Sequence, residues 1–205
     1  MSTGLWAVWR DRPDGLLQKL WDELERGASD ATAACHWPTL ATVEDGEPRS
    51  RTVVLREVNR EARLLICQVD RRSPKVSQIE QRSTAEWVFH DLAARWQLRA
   101  RGATQIHRDD DLADRRWSET AAAGRAMYLA PHAPGTRLSG PEVNLPADIN
   151  LHTLTLAETE AGRANFCVLA TTVTDFDLYD LAPAGHVRHR WSWNGRSWDG
   201  CWIAS

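Results

Sequence analysis

The residues best suited to chemistry in this 205-residue chain are cations gathered into one segment. Between Arg49 and Lys75 stand eight basic side chains (Arg49, Arg51, Arg56, Arg60, Arg63, Arg71, Arg72, Lys75) against three acids (Glu57, Glu61, Asp70). The whole chain, by contrast, has 25 Lys and Arg against 28 Asp and Glu, a formal net charge of -3. Basic character is therefore local, and neither nucleic acid nor an anionic membrane surface is expected as the main partner. A guanidinium donates two parallel hydrogen bonds to a phosphate, and a helix start adds backbone donors and the positive end of a dipole. Arg72-Ser73-Pro74-Lys75 combines these within one turn, since Ser can cap and Pro suits the first helical position. On the pattern alone two readings stand: a solvated charged face, or a phosphate gripped by Arg72, Ser73, Lys75 and backbone amides.

Other reactive types are sparse. His186 and His189 form an HxxH and Cys35-His36 sets a thiol beside an imidazole, but no third and fourth ligand follow at zinc spacing, so no metal is expected. GxGxxG, P-loop and GxSxG motifs are absent, which leaves dinucleotide-binding and hydrolase readings without support. The four cysteines (Cys35, Cys67, Cys167, Cys201) form no CxxC pair, and Met1 to Arg10 lacks the apolar run of a signal peptide. Reduced thiols in a cytoplasmic protein are the expectation. No apolar stretch approaches the roughly 18 to 20 residues that would span a bilayer. Eleven tryptophans are expected to fill the core and a subunit interface.

The elements that would carry these residues follow from periodicity. Leu16, Leu17, Leu20, Trp21 and Leu24 share one face of an amphipathic helix over Asp14 to Arg26, closed by Gly27. From Thr39 the pattern becomes β-rich. Expected strands are Thr39 to Val43, Ser50 to Arg56 and Leu64 to Val69, then Thr84 to His90 and Arg95 to Ile106 after a short helix opened by Ser73-Pro74. In the last of these Trp96, Leu98 and Ala100 oppose Gln97, Arg99 and Arg101. An acidic helix from Asp109 to about Ala123 precedes a long loop, Ala130 to Pro146. Four strands close the chain: Phe166 to Thr172, Asp175 to Leu181, Val187 to Trp193 and Trp198 to Ile203, the last two joined at Asn194-Gly195. Neither repeat nor linker interrupts this order, so one domain over 1–205 is expected.

Four motifs in this order resemble the pyridoxamine 5'-phosphate oxidase-like FMN-binding split-barrel family. Ala41-Thr42-Val43, the turn Glu44-Asp45-Gly46-Glu47 with Pro48 after it, and Arg49 to Arg56 are similar to its opening hairpin. Leu64 to Val69 matches its next strand, Arg72-Ser73-Pro74-Lys75 looks like an R-S-x-K variant of its phosphate motif, and Arg95 to Gly102 is similar to its R-x-Q-x-R-x-x-G strand. The resemblance implies a mainly β (α+β) fold, a six-stranded antiparallel split β-barrel with peripheral helices. It further implies a homodimer with FMN at the subunit interface. Carried over by position, Arg51 and Arg56 would meet the ribityl phosphate end, Arg72, Ser73 and Lys75 the phosphate, and Gln97 the polar edge of the isoalloxazine. Cys67 stands where the family often has Thr. His186 to Trp191 resembles the family's H-R-L-H-D-R-F with one residue missing, so Arg188 and Arg190 both align with the arginine that approaches the flavin. Arg190 fits better, leaving Arg188 and His189 where substrate is held; Tyr179 lies where related oxidases have a Trp. The family's Y-x-x-x-R-x-x-S substrate motif is not recognisable in WSETAAAGRAMYLAPHAPG, Trp117 to Gly135. The function implied is thus that of an FMN-binding oxidoreductase with an unknown substrate and no side-chain nucleophile. The alternatives are a non-catalytic flavin-binding or storage module, or a split barrel with another planar cofactor such as haem or a deazaflavin.

Overall fold

The computed structural model describes residues 13–183 and 185–205; Met1 to Arg10, read above as lacking a signal peptide, lies outside the described residues. Helix α1 (Pro13–Ser29) buries Leu16, Leu20, Trp21 and Leu24, as their spacing requires, each large side chain contributing on the order of 1.5–3 kcal/mol. Its polar side is tied by Lys19–Glu23 at 2.9 Å and Arg26–Glu23 at 2.6 Å. Gly27 does not close this helix. It lies inside it, where a Cβ would stand 2.5 Å from the Cβ of Cys35, so its role is close approach rather than termination.

Among the described residues nine strands, not six, join one sheet: β1 (Thr39–Glu44), β2 (Glu47–Thr52), β3 (Glu57–Asn59), β4 (Leu64–Asp70), β5 (Thr84–Asp91), β6 (Trp96–His107), β7 (Phe166–Asp180), β8 (Val187–Trp193) and β9 (Trp198–Ile203). The hydrogen-bonded order is β2-β1-β5-β6-β7-β4-β3, with β8 on β7 and β9 on β8, and the path does not close. The neighbours β1–β2, β1–β5, β3–β4, β5–β6, β7–β8 and β8–β9 all run antiparallel. The expected strand Ser50 to Arg56 is displaced. A two-residue turn with positive φ at Asp45 and Gly46 starts β2 at Glu47, and β2 ends at Thr52. The two strands expected over Phe166 to Leu181 are one fifteen-residue strand, long enough to pair β8 along Asp175–Asp180 while β6 and β4 are also its neighbours. Gly102 permits the closest approach, since a Cβ there would lie 1.9 Å from the Thr172 carbonyl oxygen.

Between the strands lie α2 (Pro74–Gln81), α3 (Asp111–Glu119), α4 (Ala122–Arg125) and α5 (Leu156–Thr159). The Asp110 side chain accepts from the Ala113 amide to open α3. The single acidic helix expected to Ala123 instead breaks at Thr120, which leaves the helical region extended. The chain groups into two compact units. The first comprises the described residues up to Cys67 with Arg82–Thr104 and Ala170–Ser205; its core includes Leu40, Leu55, Leu65, Trp87, Phe89, Trp96, Leu98 and Phe176. The second comprises Gln68–Gln81 and Gln105–Leu169, with Trp117, Tyr128 and Phe166 in mutual edge contact at 5.0–5.9 Å. No helix among the described residues is long and apolar enough to cross a membrane.

Candidate functional site

Arg72-Ser73-Pro74-Lys75, the stretch expected to grip a phosphate, belongs to the second unit and begins where β4 ends. Asp70 accepts the Arg72 amide at 2.8 Å and the Arg72 guanidinium at 2.7–3.2 Å, while the Ser73 amide and hydroxyl both donate to the Asp70 carbonyl at 3.0 and 2.7 Å. Lys75 Nζ donates to Ser73 Oγ at 3.0 Å. Arg72 also reaches the Ala130 carbonyl at 2.9 Å, and its carboxylate partner holds its pKa above the ordinary value. Arg72 is thus a fastener between the strand end and the start of the 130–146 loop. Ser73 and Lys75 carry the polar hydroxyl and the ammonium side by side.

The other cations of the basic segment divide in the same way. Arg49 pairs with Glu44 at 2.8 Å, Arg60 fastens the β3–β4 turn to Asp22, Glu25 and Gln18 of α1, and Arg63 lies 4.1 Å over the Trp193 ring. Arg51 on β2 is half-buried, and burial pushes its pKa down; its guanidinium donates to Thr42 Oγ1 at 2.6 Å and to the Leu40 carbonyl at 3.2 Å. Arg56 falls after β2 rather than on it, with its amide bonded to the Ile66 carbonyl at 2.8 Å and its side chain exposed. Cys67 is wholly buried on β4.

A second constellation, in the first unit, forms on β5, β6, β7 and β8. Alternation on β6 buries Trp96, Leu98 and Ala100 and turns Gln97, Arg99 and Arg101 to the other face. There Arg99, Arg101, Arg188 and Arg190 line a cleft of about 190 Å³ together with Glu86, Asp175 and Asp177. Asp177 takes Arg188 through two bonds of 2.9 and 2.7 Å and Arg99 at 2.5 Å. Asp175 is approached by Arg101 at 3.3 Å and Arg190 at 3.6 Å. Burial pushes the Asp177 carboxyl up, but the hydrogen bond from Arg188 and the bond and charge of Arg99 outweigh it and hold the pKa below the ordinary value. Asp175 is lowered by the same balance, with Thr174, Arg101 and Ser192 as donors.

His189 does not join Arg188 and Arg190. Period-two alternation along β8 sends it to the opposite face, where it is 1% exposed between Trp191 at 4.1 Å and Trp202 at 4.4 Å. Burial pushes its pKa down, an effect that a backbone contact at Arg190 only partly offsets, and its buried Nδ1 has no partner among the described residues. Tyr179 stays on the arginine side, 5.7 Å from Arg188. Sequence reading missed Glu86, Arg99, Arg101, Asp175 and Asp177 as site residues. Their signal was the spacing of two shared by Asp175-x-Asp177, Arg99-x-Arg101 and Arg188-x-Arg190, legible as a site only once β6, β7 and β8 are known to be adjacent. Among the described residues no group of three or more His, Cys, Asp or Glu could hold a metal ion.

A mainly antiparallel sheet with peripheral helices is the fold this chain shares with a solved pyridoxamine 5'-phosphate oxidase-related protein. Residues 18–108 match the family described as pyridoxamine 5'-phosphate oxidase, FMN-binding domain. A crystal structure of a pyridoxamine 5'-phosphate oxidase-related, FMN binding protein from Nostoc punctiforme PCC 73102 is similar over 96% of this chain and 97% of its own, at 25% identity and a TM-score of 0.68. PhzG from Burkholderia lata 383, solved in complex with tetrahydrophenazine-1-carboxylic acid, shares the fold at 16% identity and a TM-score of 0.67, with 96% of each chain covered. A protein related to general stress protein 26 from Clostridium acetobutylicum shares it at 11% identity and a TM-score of 0.53, over 83% of this chain and 94% of that one. No curated protein matches the sequence.

Proposed function

We propose that the chain, as one FMN-binding domain over 1–205, binds FMN and acts as a flavin-dependent oxidoreductase on a substrate other than pyridoxamine phosphate. The observation that carries this reading is the family match over residues 18–108 together with a likeness to an FMN binding protein that extends over nearly the whole of both chains. Ser73 and Lys75 would hold the phosphate in an R-S-x-K arrangement, with Arg72 fixing their loop. Arg51 and Arg56 would serve its ribityl end, and Cys67 would line the flavin site from within the core. Gln97 and Arg190, which share the arginine-bearing sheet side, would face the polar edge of the ring. A bound flavin supplies the redox chemistry; the chain's own groups bind and orient it and stabilise negative charge at the ring. The remaining Arg188 would serve the substrate side, whereas His189 packs on the opposite face of the strand.

Homodimerisation with FMN at the subunit interface and a cytoplasmic setting belong to the same proposal. It is tested by purifying the protein, recording its absorption spectrum and identifying the released ligand by mass. FMN in stoichiometric amount is expected, and a colourless protein that does not quench added FMN fluorescence sinks the reading. A passive flavin-binding module is favoured by one feature, the missing substrate motif between Trp117 and Gly135. Repeated reduction and reoxidation with turnover would exclude that second reading.

A further inference from the structure

The arginine cleft is built unevenly, and the unevenness points to a ligand. Two Arg–Asp–Arg sets cross the strands β6, β7 and β8, one centred on Asp177 and one on Asp175. In the first, Asp177 is held by the two-pronged Arg188 and by Arg99 at 2.5–2.9 Å, the geometry of charge-assisted bonds already made. In the second, the approaches lengthen to 3.3 and 3.6 Å, and the Arg101 and Arg190 side chains remain 51% and 43% exposed. Each guanidinium has five N–H donors, so the second pair keeps most of its donors unused by Asp175.

The charge balance runs the same way. Four arginines face Asp175, Asp177 and Glu86 across the cleft, and Glu86 stands opposite Arg101 in the β5–β6 register. A cation excess in a half-enclosed cleft interacts with an anion more strongly than it would in open water. With about 190 Å³ of space, the cleft has room for an oxyanion and part of the molecule that bears it.

We propose that this cleft is an anion subsite in which Arg101, joined by the donors of Arg190 that the flavin edge leaves unused, takes a carboxylate or phosphate group of the substrate, displacing Asp175, while Asp177 holds Arg99 and Arg188 in place as its wall. The assignment of the anion to a substrate rests on the flavin reading; the anion site itself does not. Asp177 is a positioning residue, and Asp175 is an internal competitor for the guanidinium donors.

The competitor role makes an unusual demand: removing an acid must tighten binding of an anion. Inorganic phosphate and succinate, titrated calorimetrically in the presence of excess FMN, are the two probes, and the tighter of them identifies the preferred oxyanion. Arg101→Gln is expected to weaken the preferred probe by about tenfold or more. Asp175→Asn is expected to tighten it several-fold, whereas Asp148→Asn, the same charge change at an exposed loop position, should leave it unchanged. Asp177→Asn should weaken it, with Arg99 and Arg188 released. Absence of binding by both probes, an unaltered affinity in Arg101→Gln, or equal tightening in Asp175→Asn and Asp148→Asn overturns the proposal. Flavin occupancy, read separately from absorbance, is expected to survive Arg101→Gln. Anion binding without flavin would refute the flavin reading and leave the subsite, and flavin without anion binding would refute the subsite alone.

Discussion

At the scale of single residues, Arg72 and Lys75 part company although they stand in one motif. Arg72 saturates the nearly buried Asp70 carboxylate, so Arg72→Ala strands a charged acceptor and should lower stability by about 1–3 kcal/mol, visible as a drop in Tm. Lys75 contributes an ammonium beside the Ser73 hydroxyl, and Lys75→Ala should leave Tm nearly unchanged while lowering FMN affinity by roughly tenfold or more, measured by fluorescence titration. Equal Tm losses in the two variants would remove the distinction. The thiols separate as cleanly. Burial raises the Cys35 and Cys167 pKa values to about 12, Cys67 is buried as well, and Cys201 alone among the four is exposed. Native protein should therefore react fast at one thiol and at four after denaturation, as counted with a chromogenic thiol reagent.

At the scale of elements, the β8–β9 hairpin is expected to be acid-sensitive. Its packing face is made of His189, Trp191 and Trp202, and Gly200 leaves the space, since a Cβ there would stand 2.7 Å from His189 Cε1. The His189 pKa is lowered on folding from an ordinary value of 6.5. Below that value the unfolded hairpin binds more protons than the folded one, so the stabilisation is complete above pH 6.5 and is lost as pH falls through the lower folded value. Amide hydrogen exchange along β8 and β9 should accelerate over that interval, and His189→Phe should flatten the dependence. The β6–β7 contact is steric by comparison. Gly102→Ala drives a methyl into the Thr172 carbonyl, and a loss of several kcal/mol, or failure to accumulate as folded protein, is the expected result. A Tm within a few degrees of the parent would mean that the two strands separate more readily than their spacing indicates.

At the scale of the whole molecule, the proposed FMN at a subunit interface makes assembly and cofactor interdependent. Sedimentation should give a dimer, and removing FMN should weaken it, because a ligand seated between two copies binds the dimer in preference to the monomer. A monomer that retains FMN would rule out the shared site. Stability in acid should also fall as the lowered carboxyls of Asp175 and Asp177 protonate. Their contribution is present above the ordinary aspartate value of 3.8 and disappears as pH falls through the folded values below it.

What could be read from the chain alone was whatever depends on local period and local chemistry. The apolar spacing of Leu16 to Leu24 set α1, the alternation from Trp96 to Arg101 assigned Gln97 to the face away from the core, and Asp45-Gly46 marked a hairpin turn. The ordered motifs led to the FMN-binding family for the same reason, being short and contiguous. Strand number was not legible, since a fused fifteen-residue β7 and a break after Thr52 depend on which neighbours supply hydrogen bonds. Nor was the fate of the basic segment. Whether Arg49, Arg60 or Arg72 is a ligand donor or an internal fastener depends on how the chain folds: Arg60 meets Asp22 and Glu25 only through tertiary structure, Arg49 meets Glu44 across a hairpin, and Arg72 turns back on the neighbouring Asp70 while reaching the Ala130 carbonyl. The arginine cleft is the extreme case. Arg99, Asp175 and Arg190 are ordinary alternating strand residues until β6, β7 and β8 lie side by side, because a charge acquires its partner through space and not through sequence.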